Sequence, residues 1–348
     1  MNSASNPSAA GQPQQENAPL NRRNWLRRHP IKSASIIVLL IILGPYVFSR
    51  LTSSHNCLII VDDPKLANPR NSTGPNKRIS LLVMNIAHGR GNEDSNWAEG
   101  GQQKRNRISS IAELIRSCDC DIVVLNEVDF NATWSGHQNQ AAAIATSANY
   151  RYRLEQRNLD FRFAYGSFSF GNAILSRLPI TNSSYVELPG FSAWEEFLAG
   201  KKKGAVATIN DSQSEFQIVP IHLEHRDEDT RVNSIKKFLS LQTDLPLLLA
   251  GDFNSTPSGF PGSSKGKITK ENTIDHLISD GRLTTHNTTT PSDQEFTFPS
   301  DRPYKTIDWV FASHHFKIIN YQVIDSAPRL SDHLTILIEF ELETSHQQ

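Results

Sequence analysis

The sequence predicts an α/β sandwich, two β-sheets packed on each other with helices outside. Three observations predict it. Short apolar runs recur along the chain, and a compact polar cluster follows each at once. Segments with helical spacing lie between the early runs, and strands dominate after Phe161. The chain has 348 residues, 38% hydrophobic and 20% charged, enough for one large domain with a real core plus extensions. A net charge of −1 gives no basic excess, which argues against tight sequence-independent binding to a polyanion.

Residues 1–32 come first, beginning with Ser, Asn, Gln, Pro and Ala and almost no apolar bulk, so disorder is expected. A basic cluster closes this segment: Arg22, Arg23, Arg27, Arg28 and Lys32. The apolar run 35–48 gives an expected transmembrane signal anchor over 33–51, near the lower limit of about 17 residues for a spanning helix. No small-x-small cleavage site follows it; a cleaved signal peptide and a buried soluble helix are the alternatives. Five basic residues before the run and Arg50 after it place the N-terminus in the cytoplasm and the rest of the chain outside it. Arg22-Arg23-Asn24-Trp25-Leu26 faintly resembles a twin-arginine export signal. Residues 52–77 lack periodicity and read as a linker.

The domain is expected over 78–343, with a tail at 344–348. Its runs and their sequels are 79–84 then Asn85, 122–125 then Asn126-Glu127-Val128-Asp129, 216–221 then His222, and 245–250 then Gly251-Asp252-Phe253-Asn254. Ile307-Asp308-Trp309-Val310-Phe311 carries an acid near its start. Ser331-Asp332-His333 precedes 334–342, where Leu334, Ile336, Ile338, Phe340 and Leu342 share a face at period two. Ile108, Ile111, Ala112 and Ile115 mark one helix. Val232, Ile235 and Leu239 mark another, with Asp227, Glu228 and Asp229 at its start. Residues 140–148 make a third. Lys201-Lys202-Lys203 reads as a solvated turn. Cys57, Cys118 and Cys120 are too few for a disulfide framework and wrongly spaced for zinc.

The strand-end polar residues hold four carboxylates (Glu127, Asp252, Asp308, Asp332), two amides (Asn85, Asn254) and two imidazoles (His222, His333), without a thiolate. Hard oxygen donors suit Mg²⁺, with Mn²⁺ as substitute, rather than Zn²⁺. In an extended segment Asp252 and Asn254 point to one side, so one can position a water while the other holds a phosphate oxygen. Asp308 and His333 can form a dyad for acid–base work or charge stabilisation. A lone Asp or His at a strand end is more often a turn cap; the whole set in one domain is hard to explain that way.

At these residues the sequence resembles the endonuclease/exonuclease/phosphatase superfamily. The matching elements are Val83-Met84-Asn85-Ile86, Leu125-Asn126-Glu127-Val128, Gly171-Asn172-Ala173-Ile174-Leu175-Ser176-Arg177, Ile221-His222-Leu223, Gly251-Asp252-Phe253-Asn254, Ile307-Asp308 and Ser331-Asp332-His333. The resemblance implies a four-layered, DNase I-like sandwich with mainly antiparallel sheets, and a metal-dependent phosphoesterase. It implies Glu127 as principal Mg²⁺ ligand with Asn85 and Asp332 near the metal. Asp252 would orient the attacking water, Asn254 and His222 would hold the phosphate, and Asp308 and His333 would be the dyad. Asn172, His88 and Arg90 are candidate substrate contacts, with a loop cap as the alternative for the last two.

Asn126 departs from the usual Gln of the family and is one methylene shorter, so the contacts behind the metal ligand should differ. The motifs of inositol polyphosphate 5-phosphatases and abasic-site endonucleases are absent. An exported, tethered domain points to a lipid head group as substrate, with extracytoplasmic nucleic acid second. No obligate protein partner is evident. A binding module of the same fold without catalysis is the alternative of a different class.

Overall fold

The computed structural model describes residues 30–52, 57–66, 77–163, 166–190, 202–212, 214–241, 243–262, 271–286, 293–326 and 328–342. The expected disorder over most of 1–32, four of the five residues of the basic cluster, the tail at 344–348 and Lys201 fall outside these. The chain divides into two units, Met1–Phe48 and Ser49–Gln348.

Helix α1 (Pro30–Thr52) forms on the apolar run. Its Ile36, Ile37, Val38, Leu39, Leu40 and Ile41 are all exposed. Among the described residues no helix is long and apolar enough to cross a membrane.

The second unit starts earlier than the sequence led one to expect. Strand β1 (Leu58–Asp62) lies within the expected linker 52–77 and pairs antiparallel with a strand almost a hundred residues on, Leu58 opposite Gln156. The linker expectation is corrected accordingly. Four consecutive apolar residues suffice for an edge strand, and the polar tracts on either side hide them. β2 (Lys77–Asn85), α2 (Gly101–Cys118), β3 (Ile122–Ala132), α3 (Gln140–Ala148), β4 (Tyr152–Phe163), β5 (Gly166–Ser176), β6 (Ile180–Glu187), β7 (Lys203–Asn210) and β8 (Glu215–His222) follow. The chain then runs through α4 (Glu228–Leu239), β9 (Leu247–Asp252), α5 (Thr273–Asp280), β10 (Leu283–Thr284), β11 (Asp308–Ser313), β12 (Phe316–Ile324) and β13 (Thr335–Leu342).

The strands form two sheets, β1-β4-β5-β3-β2-β13-β12 and β10-β11-β9-β8-β7-β6. Among the described residues every strand pairing is antiparallel except β2–β3 and β8–β9, so both sheets are mixed. A parallel pair needs a crossover, and α2 and α4 supply one each. Alternation along β2 explains the layers. Ile79, Leu81 and Val83 enter the core between the sheets, with Ile218, Leu248, Ala250 and Val310 from the second sheet. Leu82 and Met84 face the other way, onto Ile108, Ile111 and Ile115 of α2 and Ile144 of α3. On the second sheet Val219, Ile221, Leu249 and Phe311 meet Ile235 and Phe238 of α4 and Ile274 and Leu277 of α5. The order is helix, sheet, sheet, helix.

Caps fix the helices where the sequence placed them. The Asn139 side chain accepts from Ala142 N and starts α3; that of Asp227 accepts from Thr230 N and starts α4. Asp119 ends α2 in the left-handed conformation at φ 50. α5 carries Asn272 as its cap; it is only eight residues long, and the reading of the sequence passed over it.

Candidate active site

Both parallel pairs end in polar residues, in matching register: Asn85 beside Asn126, and His222 beside Asp252. Packing one sheet on the other brings these ends together. Asn85 Nδ2 donates to Asp252 Oδ2 at 3.2 Å and to Glu127 Oε1 at 3.3 Å. Asp308 opens β11 directly opposite Asp252. Asp332 and His333 arrive from the turn before β13, where Ser331 Oγ donates to the Asn85 carbonyl at 2.6 Å and accepts from His333 N at 3.3 Å. All eight strand-end residues therefore meet in one place.

The backbone is bent to do this. Glu127 sits at φ 52, in the left-handed region, where the register of β3 against β5 shifts between Leu125 and Val128. Such a bulge re-aims a side chain and is common beside active sites. Gly251 at φ +143 allows β9 to pass β8: a Cβ there would stand 2.0 Å from the Ile221 carbonyl oxygen. Asn254 is also left-handed, at φ 51, and its N–H donates to Asp252 Oδ1 at 2.8 Å. The expected extended geometry of Asp252 and Asn254 is thus corrected. β9 stops at Asp252, and a side-chain-closed turn presents Asn254, whose Nδ2 donates to the Leu223 carbonyl at 3.2 Å.

Asn126 joins the two sheets. Its Oδ1 accepts from Asp252 N at 3.0 Å, and its Nδ2 donates to the Ile221 carbonyl at 2.9 Å and to Asn172 Oδ1 at 3.0 Å. Asn172 in turn directs Nδ2 to Gln156 Oε1 and the Pro220 carbonyl, and is only 1% exposed. The expectation that Asn172 contacts substrate is corrected: its amide is spent beneath Asn126 and away from the opening.

The dyad is formed. His333 Nδ1 lies 2.9 Å from Asp308 Oδ2, both buried, and Nε2 lies 3.8 Å from Asp252 Oδ2. Burial works against a charged imidazole, but Asp308 dominates together with Asp252 and lifts His333 to about 10. Burial pushes Asp252 up to about 7, opposed by His333 and reinforced by Asp308. The three groups lie with ligand-capable atoms within 4.8 Å of one another. His222 Nε2 stands 3.9 Å from both Asp252 Oδ2 and Glu127 Oε1. Burial lowers it to about 4, so it is neutral at pH 7.

Glu127 and Asp332 form the more open side, with about a fifth of each side chain accessible. Burial penalises the Glu127 charge, yet His88, His222 and Arg90 hold its carboxyl down at about 2. Burial pushes Asp332 up, against His333 and Arg90. Arg90 bridges the pair, Nη1 to Glu127 Oε2 at 3.1 Å and Nη2 to Asp332 Oδ2 at 2.5 Å. A cation between two carboxylates is what the oxygen donors of Glu127 and Asp332, with Asn85 alongside, would accept from a hard divalent ion, so the residues fit one.

His88 is no loop cap. Its Nδ1 is 2.7 Å from Asp129 Oδ1 and its Nε2 3.5 Å from Glu127 Oε2. Asp129 also accepts from Trp134 Nε1, and its N–H donates to Gln140 Oε1. Sequence reasoning missed Asp129, Gln140, Ser331 and Trp134 as supports. Two of them left a signal: Asp129 as an acid two residues after Glu127 in the same strand, and Ser331 as the first residue of Ser331-Asp332-His333. Trp134 leads outward to Phe168, Phe170 and an exposed Trp97, ring centroids 4.8–5.8 Å from its own.

A mixed two-sheet sandwich with an Asp–His dyad, a second buried Asp and an open carboxylate pair defines a hydrolase acting on phosphoester bonds. The endonuclease/exonuclease/phosphatase family profile matches residues 83–333, and the chain belongs to that family. Among solved structures, it is similar to an endonuclease/exonuclease/phosphatase from Beutenbergia cavernae DSM 12333, at 20% identity and TM-score 0.57, covering 77% of this chain and 72% of that one. It is also similar to the mannosyl-6-phosphatase of Bacteroides thetaiotaomicron VPI-5482 (17%, TM-score 0.52, 75% and 99% covered). A third is ANGEL2, a 2',3'-cyclic phosphatase, in complex with adenosine-2',3'-vanadate (15%, TM-score 0.52, 77% and 97% covered). These likenesses show the fold. No curated protein sequence matches the chain.

Proposed function

We propose that this chain hydrolyses a phosphodiester or phosphomonoester with Mg²⁺, attacking phosphorus in line with water. The observation that carries the reading is the setting of Asp252. Its Oδ1 is fixed by Asn254 N, while Oδ2 takes the Asn85 amide and faces both His222 and His333. That carboxylate is placed to orient water and accept its proton. His222, neutral, and Asn254 hold phosphate oxygens. The His333 imidazolium, kept charged by Asp308, stabilises the negative charge that builds on the phosphoryl group. Glu127, Asp332 and Asn85 would hold the metal ion, which when bound neutralises phosphoryl charge. His88 is the inner wall of the substrate site.

The exposed apolar residues of α1, with basic residues ahead of them, support a membrane anchor that leaves the catalytic domain outside the cytoplasm. A lipid head group is then the nearest phosphoester. The aromatic rings from His88 out to Trp97 favour a second reading, a nucleic acid or nucleotide whose bases stack there. The test is hydrolysis of bis-p-nitrophenyl phosphate, sphingomyelin-type and glycerophospholipid vesicles, and single-stranded and duplex DNA, side by side. Turnover of the vesicles supports the lipid reading. Turnover of DNA, with loss on Trp97→Ala, supports the second. Turnover of none by folded, Mg²⁺-binding protein would favour a binding module.

A further inference from the structure

The open carboxylate pair already has a cation in it. Glu127 lies in β3 and Asp332 in the turn before β13, yet one guanidinium reaches both. The backbone is arranged for this contact. Ala87, His88 and Gly89 run at φ 48, 53 and 71, and Gly91 follows at φ 65, so the chain turns tightly around Arg90. Gly91 is bridged to Ser331, which sets the Arg90 loop beside Asp332. Arg90 Nε donates to the Glu93 carbonyl at 2.9 Å, fixing the third nitrogen. Only 18% of the side chain is accessible. The forked geometry of guanidinium, two nitrogens on two different carboxylates, is one that a point charge cannot copy.

A divalent ion on these oxygens, at about 2.0–2.1 Å for Mg²⁺, would stand against the guanidinium, and two cations so close repel each other. We propose that Arg90 is the resident cation of this pair and that a divalent ion binds only as the guanidinium leaves. Arg90 then lowers the metal affinity of the site, and on release becomes a free anion-binding fork beside the phosphate position. Metal and phosphate are coupled through one side chain: each favours the state that the other needs. The inference rests on Glu127 and Asp332 being the metal ligands. The opposite role, an Arg that stays and orients its carboxylates behind the metal, predicts the opposite sign, because removing such a support weakens metal binding by about 10–100-fold.

The experiment is isothermal titration of Mg²⁺ and Mn²⁺ into the detergent-solubilised full chain, as wild type, Arg90→Gln and Arg90→Lys, with and without inorganic phosphate. The expected result is tighter metal binding by Arg90→Gln, by roughly tenfold or about 1.4 kcal/mol, with Arg90→Lys in between. Phosphate should tighten metal binding to the wild type more than to Arg90→Gln. Equal or weaker metal binding by Arg90→Gln, with wild type binding normally, overturns the inference and leaves the metal-dependent reading intact. If Arg90→Gln does not fold, Arg90→Lys decides by the same sign. Failure of every form to bind either ion removes the metal-dependent reading, and this inference with it.

Discussion

The Asp308–His333 contact decides the state of the site's most basic group. With Asp308 replaced by Asn, His333 keeps its burial and the Asp252 and Asp332 charges but loses its main counter-charge, so its pKa should fall from about 10. An NMR titration of the ring protons reads this directly, and turnover should drop by about 10²–10⁴-fold. Raised in the folded state, the imidazolium contributes stability that is fully present below about pH 6.5 and is lost as pH climbs through about 10. Urea unfolding should therefore weaken between pH 7 and pH 10.5 in the wild type and change less in Asp308→Asn. Asn126 belongs to the same scale. Asn126→Ala would leave the Asp252 N–H and the Ile221 and Asn172 oxygens short of partners, at about 1–3 kcal/mol for a buried group. A loss of under 0.5 kcal/mol in urea would contradict its role as the link between sheets. Its identity was plain in the sequence as a departure from Gln; its partners were not, because they come from β5, β8 and β9.

Among the elements, β9 carries the sharpest constraint. Gly251→Ala puts a Cβ 2.0 Å from the Ile221 carbonyl oxygen and 2.9 Å from Asn126 Oδ1, at a φ that disfavours any side chain. We expect a loss above about 3 kcal/mol in denaturant unfolding, with β8 and β9 forced apart. β1 makes a second test. A chain cut at residue 77 loses the β1–β4 pairing, and Leu58 no longer packs on the core, whereas a cut at residue 57 keeps both. The shorter chain should melt several degrees lower, at roughly 2–4 °C per kcal/mol lost. Equal melting temperatures would make β1 an ornament. Elements with a clean period were legible: α2 and α4 contain the residues whose spacing marked them, and β13 alternates as read. The turns at Glu127 and Asn254 were not, since a left-handed residue in an otherwise extended run is set by tertiary packing rather than by local propensity.

At the scale of the whole molecule, each sheet contributes one strand–helix–strand crossover, and both crossovers deliver their polar strand ends to one place. That is why residues named from their places at strand ends come to lie together in the fold. The candidate substrate contacts fared differently: Asn172 faces the interior beneath Asn126, while Arg90 and His88 reach the carboxylates from a loop. The unit with α1 adds a separate prediction. If α1 inserts in a membrane, the full chain should resist alkaline carbonate extraction, and a chain lacking residues 1–52 should be released. Release of the full chain would remove the anchor from the account without touching the site.

The central claim is that these strand ends form a metal-dependent phosphoesterase whose water is directed by Asp252. The most direct measurement is hydrolysis of bis-p-nitrophenyl phosphate by the purified full chain with Mg²⁺, with EDTA, and as Asp252→Asn. The account predicts turnover with Mg²⁺, its loss in EDTA with recovery on adding Mg²⁺ back, and a fall of about 10²-fold or more in the folded variant. Turnover that survives EDTA, or an Asp252→Asn protein as active as wild type, would contradict it.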